Sequence, residues 1–319
     1  MSFLKISEKV VLNKLKKIKN GNLKLINYDG KVFHFGSLES NLSADIKINN
    51  PKFYFNIISG GSSALGEAHM NRDFYTSNLT NLIEISAKNI ELVYSFSGSL
   101  KIKKIKNFFK SIFASNTKSK SLQHISKHYD LGNNFFSKWL DKTLTYSSAV
   151  YENENDSLEI AQKNKYQKLI DLLNVKDGNK VLEIGCGWGG FSEYLAKNYN
   201  VSIDCITISK KQFEFTKKRI SDAGLNNKVN VLFLDYRDLQ DKYDKIVSIE
   251  MIEAVGENYL GKYFETIKKS LNKDGSAALQ GITIRDDLFD RYKRSEDFIQ
   301  KYIFPGGFLP SLNLMKTLI

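Results

Sequence analysis

Between residues 180 and 284, five apolar runs rich in β-branched side chains alternate with stretches of helical period. This alternation restricts the fold more than any other feature of the chain. The runs are KVLEIG (180–185), VSIDCITIS (201–209), VNVLFLD (229–235), KIVSIE (245–250) and SAALQGITI (276–284). Between them lie GFSEYLAKNY, KKQFEFTKKRISDAG and ENYLGKYFETIKKSL. Strands joined through helices run parallel, and a parallel sheet is covered on both faces. The expected class is therefore α/β, with a sheet flanked by helices.

The first strand runs into KVLEIGCGWGGF (180–191), where Gly185, Gly187 and Gly190 satisfy G-x-G-x-x-G. Glycines there permit a tight turn and close backbone approach at a helix N-terminus. Nicotinamide, flavin and S-adenosylmethionine (AdoMet) folds share that physics, so neighbouring residues have to decide. Glu183 precedes the loop; an acid suits the amino end of AdoMet, directly or through water, and repels a pyrophosphate. A nicotinamide site needs an acid at the tip of the second strand. The tip here is Thr207-Ile208-Ser209, and Asp204 lies mid-strand. The third strand ends in Asp235, Tyr236 and Arg237, an acid and an aromatic suited to an adenine. Together these residues point to AdoMet.

Upstream, residues 1–20 carry apolar positions at helical spacing, 23–35 reads as a hairpin around Asp29-Gly30, and 43–49 as a third strand. Residues 78–96 read as one helix capped by Asn78 or Thr80. This gives a small α+β domain over 1–100, a basic helix and linker over 101–125, and the larger domain over 126–319, opening with a helical region at 133–173. In the linker, Ile102, Ile105, Phe109, Ile112 and Phe113 share one side among lysines. That composition suits an interfacial helix, or a connecting helix packed between domains.

The net charge of +12 favours anionic partners, or reflects a lysine-rich composition. No aromatic-interleaved RNA-binding motif accompanies it, so no nucleic acid is expected. Cys186 and Cys205 give no disulfide framework and point to a reducing compartment. The start MSFLKISEKV has no apolar signal region, and no stretch reaches the ~20 apolar residues of a span. The expected location is cytoplasmic, peripheral to the inner membrane.

Six segments in order, HYDLGNNFF (128–136), LTYSSAVY (144–151), VLEIGCGWGGF, TISKKQ (207–212), EMIEAVGENY (250–259) and KYIFPGGFLPS (301–311), closely resemble the cyclopropane-fatty-acyl-phospholipid synthase family, relatives of the mycolic acid cyclopropane synthases. GSSALGEAHM (61–70) extends the resemblance into the first domain. It implies an AdoMet-dependent methyltransferase with a Rossmann-like sheet. By this resemblance Tyr146 and Ser147 cover the donor, and Gly185, Gly187 and Gly189 line its methionine end. Thr207, Ile208 and Gln212 meet its ribose and adenosine, and Tyr236 and Arg237 the adenine edge.

The implied reaction adds a methylene across a cis double bond of unsaturated phospholipid acyl chains. A carbocation forms, and a base has to take a proton from the transferred methyl. The four histidines, His34, His69, His124 and His128, all precede the strands, so no histidine stands at the later strand ends. In the resembled family the base is a bound bicarbonate, held by a Glu, a His, a Cys, an Ile and a later Tyr. Glu253 and Ile282 match; Gln280 stands for the His and Ser148 for the Cys. Glu250 is a rival acid, read as structural or cofactor-adjacent. The family continues several tens of residues beyond the point matching Ile319, so a fragment, a companion chain or a non-catalytic relative binding AdoMet or lipid stay open. So does another acceptor, an amine or a methyl-branched lipid. The expected partners are acyl chains, an anionic membrane surface and a second copy in a homodimer.

Overall fold

A computed structural model describes residues 3–60, 62–96, 133–294 and 296–319. The basic helix and linker expected at 101–125 lie outside the described residues. The described residues form two compact units, one within Met1–Phe113 and Arg294–Phe298, the other within Ala114–Lys293 and Ile299–Ile319. That residues 294–298 group with the first unit is signalled by nothing in the sequence.

The first unit opens with helix α1 (Phe3–Leu15) and strands β1 (Asn22–Ile26), β2 (Val32–Gly36) and β3 (Ser43–Ile48). Helices α2 (Lys52–Gly60) and α3 (Ser62–Met70), strand β4 (Phe74–Tyr75) and helices α4 (Leu79–Lys88) and α5 (Ile90–Phe96) follow. The sheet order is β2-β1-β3-β4, with β1 and β2 antiparallel as the hairpin requires and β1 and β3 parallel. Alternate residues Leu23, Leu25, Ile46 and Ile48 face a core shared with Phe53, Tyr54 and Ile85. The helix expected over 78–96 is two helices. Asn78 caps the first through Asn81 N at 2.9 Å. Asn89 ends it because its amide is held by the turn after α1: Oδ1 accepts from Lys19 N at 2.9 Å, and Nδ2 donates to Asn20 O at 2.7 Å.

The second unit carries the alternating strands. After α6 (Asn133–Phe136) and α7 (Leu158–Leu173) come β5 (Lys180–Ile184), α8 (Gly190–Asn198), β6 (Ser202–Thr207), α9 (Lys210–Asp222), β7 (Val229–Phe233) and β8 (Tyr243–Ile249). Helices α10 (Ile252–Val255) and α11 (Leu260–Ser270) and strand β9 (Leu271–Gln280) complete the layer. The sheet is parallel, in the order β7-β6-β5-β8-β9. Its two faces are packed separately. Val181, Ile203 and Val247 belong to one cluster with Leu169, Ile170 and Leu195. Leu182, Ile184 and Ile246 belong to the other with Tyr263, Phe264 and Ile267. Chain order reverses between β5 and β8, which puts a crevice at the carboxyl ends of those strands.

The helical region expected over 133–173 is helical only at its two ends. Between them Leu144 takes a φ of 54°, outside helical conformation. Asp141 accepts from Thr143 N at 3.0 Å, so the chain turns locally instead of continuing as helix. Ser157 then caps α7, accepting from Ile160 N at 3.3 Å. Among the described residues no helix is long and apolar enough to cross a membrane.

Candidate active site

The glycine loop leaves β5 at the crevice. Gly185, Gly187 and Gly189 have φ of 80°, 54° and 81°, values glycine adopts without a Cβ penalty. Their surroundings differ. A Cβ at Gly185 would stand 2.8 Å from Met251 Cγ, and one at Gly189 2.5 Å from Thr216 Cγ2. A Cβ at Gly187 would meet nothing within 4 Å. The Gly187 N–H also has no partner among the described residues. Bare backbone facing open space at the start of α8 is a cradle for a polar ligand. This observation fits the amino-acid end of AdoMet.

Glu183 lies beneath the loop, 3% exposed, with Ser192 Oγ donating to Oε2. Burial raises its carboxyl to about 7, against the opposing hydrogen bonds from Ser192. It therefore supports the loop from below, without opening onto the crevice. At the end of β6, Thr207 Oγ1 donates to Gln212 Oε1 at 2.9 Å and accepts from Ser209 N at 3.1 Å. Ser209 caps α9. Thr207 and Gln212 are buried in this network, while Ile208 is half-buried. No carboxylate stands at that tip, where a nicotinamide ribose would need one. Asp204 is occupied at 2.9 Å by Tyr243 OH and at 3.0 Å by Asn230 Nδ2. At the end of β7, Asp235 binds Arg237 through Nε at 2.8 Å and Nη2 at 2.6 Å. The guanidinium lies 5.5 Å from the Tyr236 ring centre. Arg237 is thus committed to an internal fork, and Tyr236 is the ring next to it.

Residues 143–148 run over the loop, held by two cations the sequence does not single out. Arg219, on α9, donates from Nη1 to Thr143 O at 2.7 Å and Trp188 O at 2.8 Å, and from Nη2 to Lys142 O at 2.6 Å. It ties the cover to the glycine loop. Lys165, on α7, is 2% exposed and donates to Ser147 Oγ at 2.6 Å. Burial lowers its ammonium to about 8, against the pull of Glu250 and two further acids. Neither was legible beforehand, because both sit in lysine- and glutamine-rich helical stretches resembling solvated faces. Tyr146 packs against Phe136 and Trp139, each at 5.3 Å between ring centres, and against Phe304 at 6.4 Å. Trp188 fills the space between loop and cover, 5.0 Å from Phe136.

At the ends of β8 and β9 the expected catalytic residues separate into two groups. Glu250 Oε1 accepts from Ser148 N at 2.8 Å, Ser148 Oγ at 2.7 Å and Gln280 Nε2 at 2.9 Å. Glu250 itself has φ 47°, and its N–H donates to Gln280 O at 2.8 Å. Ile282, exposed, donates its N–H to Glu253 Oε1. Burial raises the Glu253 carboxyl, and its Oε2 is buried without a partner among the described residues. Ser148 and Gln280 therefore gather on Glu250, and only Ile282 on Glu253. Among the described residues no cluster of His, Cys, Asp and Glu is placed to hold a metal ion.

The profile of the mycolic acid cyclopropane synthetase family matches residues 116–319. The cyclopropane-fatty-acyl-phospholipid synthase of Escherichia coli K12 is 36% identical over 283 residues, 86% of this chain and 69% of the relative. The tuberculostearic acid methyltransferase UfaA1 of Mycobacterium tuberculosis is 32% identical over 79% of this chain and 60% of its own length. Among solved structures, mycolic acid cyclopropane synthase CmaA1 in complex with SAH and CTAB superimposes with a TM-score of 0.58 at 29% identity, covering 62% of this chain and 72% of that one. The cyclopropane synthase MmaA2 of M. tuberculosis gives 0.57 at 31%, with the same coverage. The parallel sheet, the glycine loop at its switch point and these matches agree: the chain belongs to the mycolic acid cyclopropane synthetase family, as an AdoMet-dependent methyltransferase of the cyclopropane synthase type.

Proposed function

We propose that the enzyme adds a methylene across a cis double bond of phospholipid acyl chains, working from the cytoplasmic side at an anionic membrane surface. The observation that carries this reading is the placing of two acids after β8, Glu250 bonded to Ser148 of the cover and Glu253 to Ile282 N beyond β9. A methyl donor there needs a proton acceptor on the substrate side, and the carboxylates that follow β8 supply one. AdoMet, when bound, supplies an electrophilic methyl. Gly187 offers backbone to its amino-acid end, Ser147 and Tyr146 cover it, and Tyr236 flanks its adenine. Phe135, Trp139 and Phe304, 44%, 47% and 39% exposed, are apolar surface suited to an acyl chain. The surplus of lysine suits an anionic headgroup layer.

Bicarbonate, expected as the proton acceptor, does not fit these residues. Two of the groups expected to hold it, Ser148 and Gln280, already direct their donors to Glu250. A further anion there would face the half-buried Glu250 carboxylate at close range, and two like charges sharing a site disfavour each other.

The reading is tested by expressing the chain in cells rich in unsaturated phospholipids and analysing extracted lipid by mass spectrometry. A gain of one CH₂ with loss of the alkene supports it; unchanged acyl chains with intact protein would overturn it. Glu253→Gln should abolish turnover yet leave S-adenosylhomocysteine binding nearly intact, since the Glu253 carboxylate bonds to Ile282 N after β9 and, among the described residues, to nothing in the glycine loop or its cover. Turnover surviving in that variant would remove Glu253 from the reaction.

A further inference from the structure

We propose that Glu250 is the general base of this enzyme, its carboxylate held by Ser148 and Gln280 in place of a bound anion. The inference rests on the cyclopropanation reading above and deepens it. Three donors meet one oxygen, Oε1, at 2.7 to 2.9 Å. The other oxygen, Oε2, makes no hydrogen bond among the described residues. A carboxylate fixed through one oxygen and free at the other is an oriented proton acceptor.

The backbone supports the same conclusion. A φ of 47° at a residue other than glycine or asparagine costs roughly 1–2 kcal/mol. The strain is maintained by the Glu250 N–H bond to Gln280 O at 2.8 Å, which fixes the side chain toward Ser148. Strained residues of this kind concentrate at functional sites. The two positions where the chain departs from the resembled pattern, Ser148 and Gln280, are also the two that grip Glu250. The departures therefore form one arrangement instead of two unrelated losses.

In the step itself, the alkene π pair forms the bond to the donor's methyl carbon while the C–S pair leaves on sulfur. Glu250 Oε2 takes a proton from that methyl, and the released C–H pair closes the ring onto the cationic carbon. The proton then passes to water, since Glu250 is half-buried and Ser148 exposed.

The test uses the full chain and two variants. Glu250→Gly suits the left-handed backbone, so it should fold, and it frees the three donors. Glu250→Gln keeps the shape and removes the base. Binding of carbon-13-labelled bicarbonate is followed by NMR line broadening with S-adenosylhomocysteine present, and lipid turnover is measured with and without bicarbonate in CO₂-depleted buffer. The wild type should bind no bicarbonate and turn over without it. Glu250→Gly should bind bicarbonate and regain with it activity otherwise lost by roughly 100- to 10 000-fold. Glu250→Gln should lose the activity without rescue. Bicarbonate bound equally by wild type and Glu250→Gly, or wild-type turnover that requires it, would overturn the proposal. If no lipid product forms at all, the functional reading fails, while the binding measurement still decides whether Glu250 occupies the donors.

Discussion

Replacing Lys165 with methionine should change how stability depends on pH. In the folded protein the Lys165 ammonium is lowered from 10.5 to about 8, with burial as the main cause. At about 1.4 kcal/mol for each tenfold change in proton affinity, this corresponds to roughly 3 kcal/mol. Above 10.5 the side chain is neutral in both states and there is no penalty. As pH falls from 10.5 towards 8 the unfolded chain takes up a proton that the folded one does not, so stability falls. Below 8 the loss is complete. Methionine has a similar length and no charge, so the variant should lack this slope. At pH 7 it should be more stable by about 1–3 kcal/mol, the upper value reduced by the lost bond to Ser147, a net contribution of ~1 kcal/mol. Buried tyrosines such as Tyr166 and Tyr263, whose hydroxyls burial raises, titrate near the upper end of this range only in the unfolded chain, so the difference between the two proteins is the quantity to read. Urea denaturation followed by tryptophan fluorescence is suitable, because both tryptophans, Trp139 and Trp188, lie in the second unit. A wild-type-minus-variant difference that stays flat between pH 8 and 10.5 would refute a buried, charge-penalised lysine.

The glycine loop separates strain from ligand contact. Gly187→Ala meets only its left-handed backbone, so it should cost about 1–2 kcal/mol of stability and weaken S-adenosylhomocysteine at least tenfold in calorimetry. Gly189→Ala adds the 2.5 Å approach to Thr216 and should cost about 2–5 kcal/mol in all. Unchanged affinity in folded Gly187→Ala would exclude backbone contact at that position. Arg219→Lys cannot span three carbonyls with one ammonium, so Trp139 and Trp188 should become more accessible to acrylamide quenching while the sheet remains folded. Unaltered quenching would show that the cover is held by other contacts.

Local chemistry made much of this protein legible. A helix and a strand differ in the period at which apolar residues recur, and the runs at 180–250 show that period clearly. Four of the five strands of the parallel sheet lie within two residues of their expected bounds, while the last, expected at 276–284, runs Leu271–Gln280; the hairpin about Asp29-Gly30 forms as read. Of the four loop glycines Gly185, Gly187 and Gly189 take positive φ, a conformation that residue type alone signals, while Gly190 opens α8. The short helices α2 and α3 carry no clear sequence signal, and neither does the break at Asn89, which depends on a turn 69 residues away in sequence.

The site was legible as a set of residues but not as a set of partnerships. Glu183 and Arg237 face internal partners, Ser192 and Asp235, because burial leaves a charged group no other way to be satisfied. Lys165 and Arg219 matter only because the chain folds back over the loop, placing backbone carbonyls and a serine in their reach. The clearest case is the pair of acids. Sequence spacing puts Glu250 and Glu253 three apart and favours neither. The left-handed turn at Glu250 sends the two carboxylates to different donors, and donors 102 and 30 residues away in the chain converge on only one of them. Residue types fixed which chemistry the crevice can hold; the direction in which each hydrogen bond points is a three-dimensional property, and only the tertiary structure decided it.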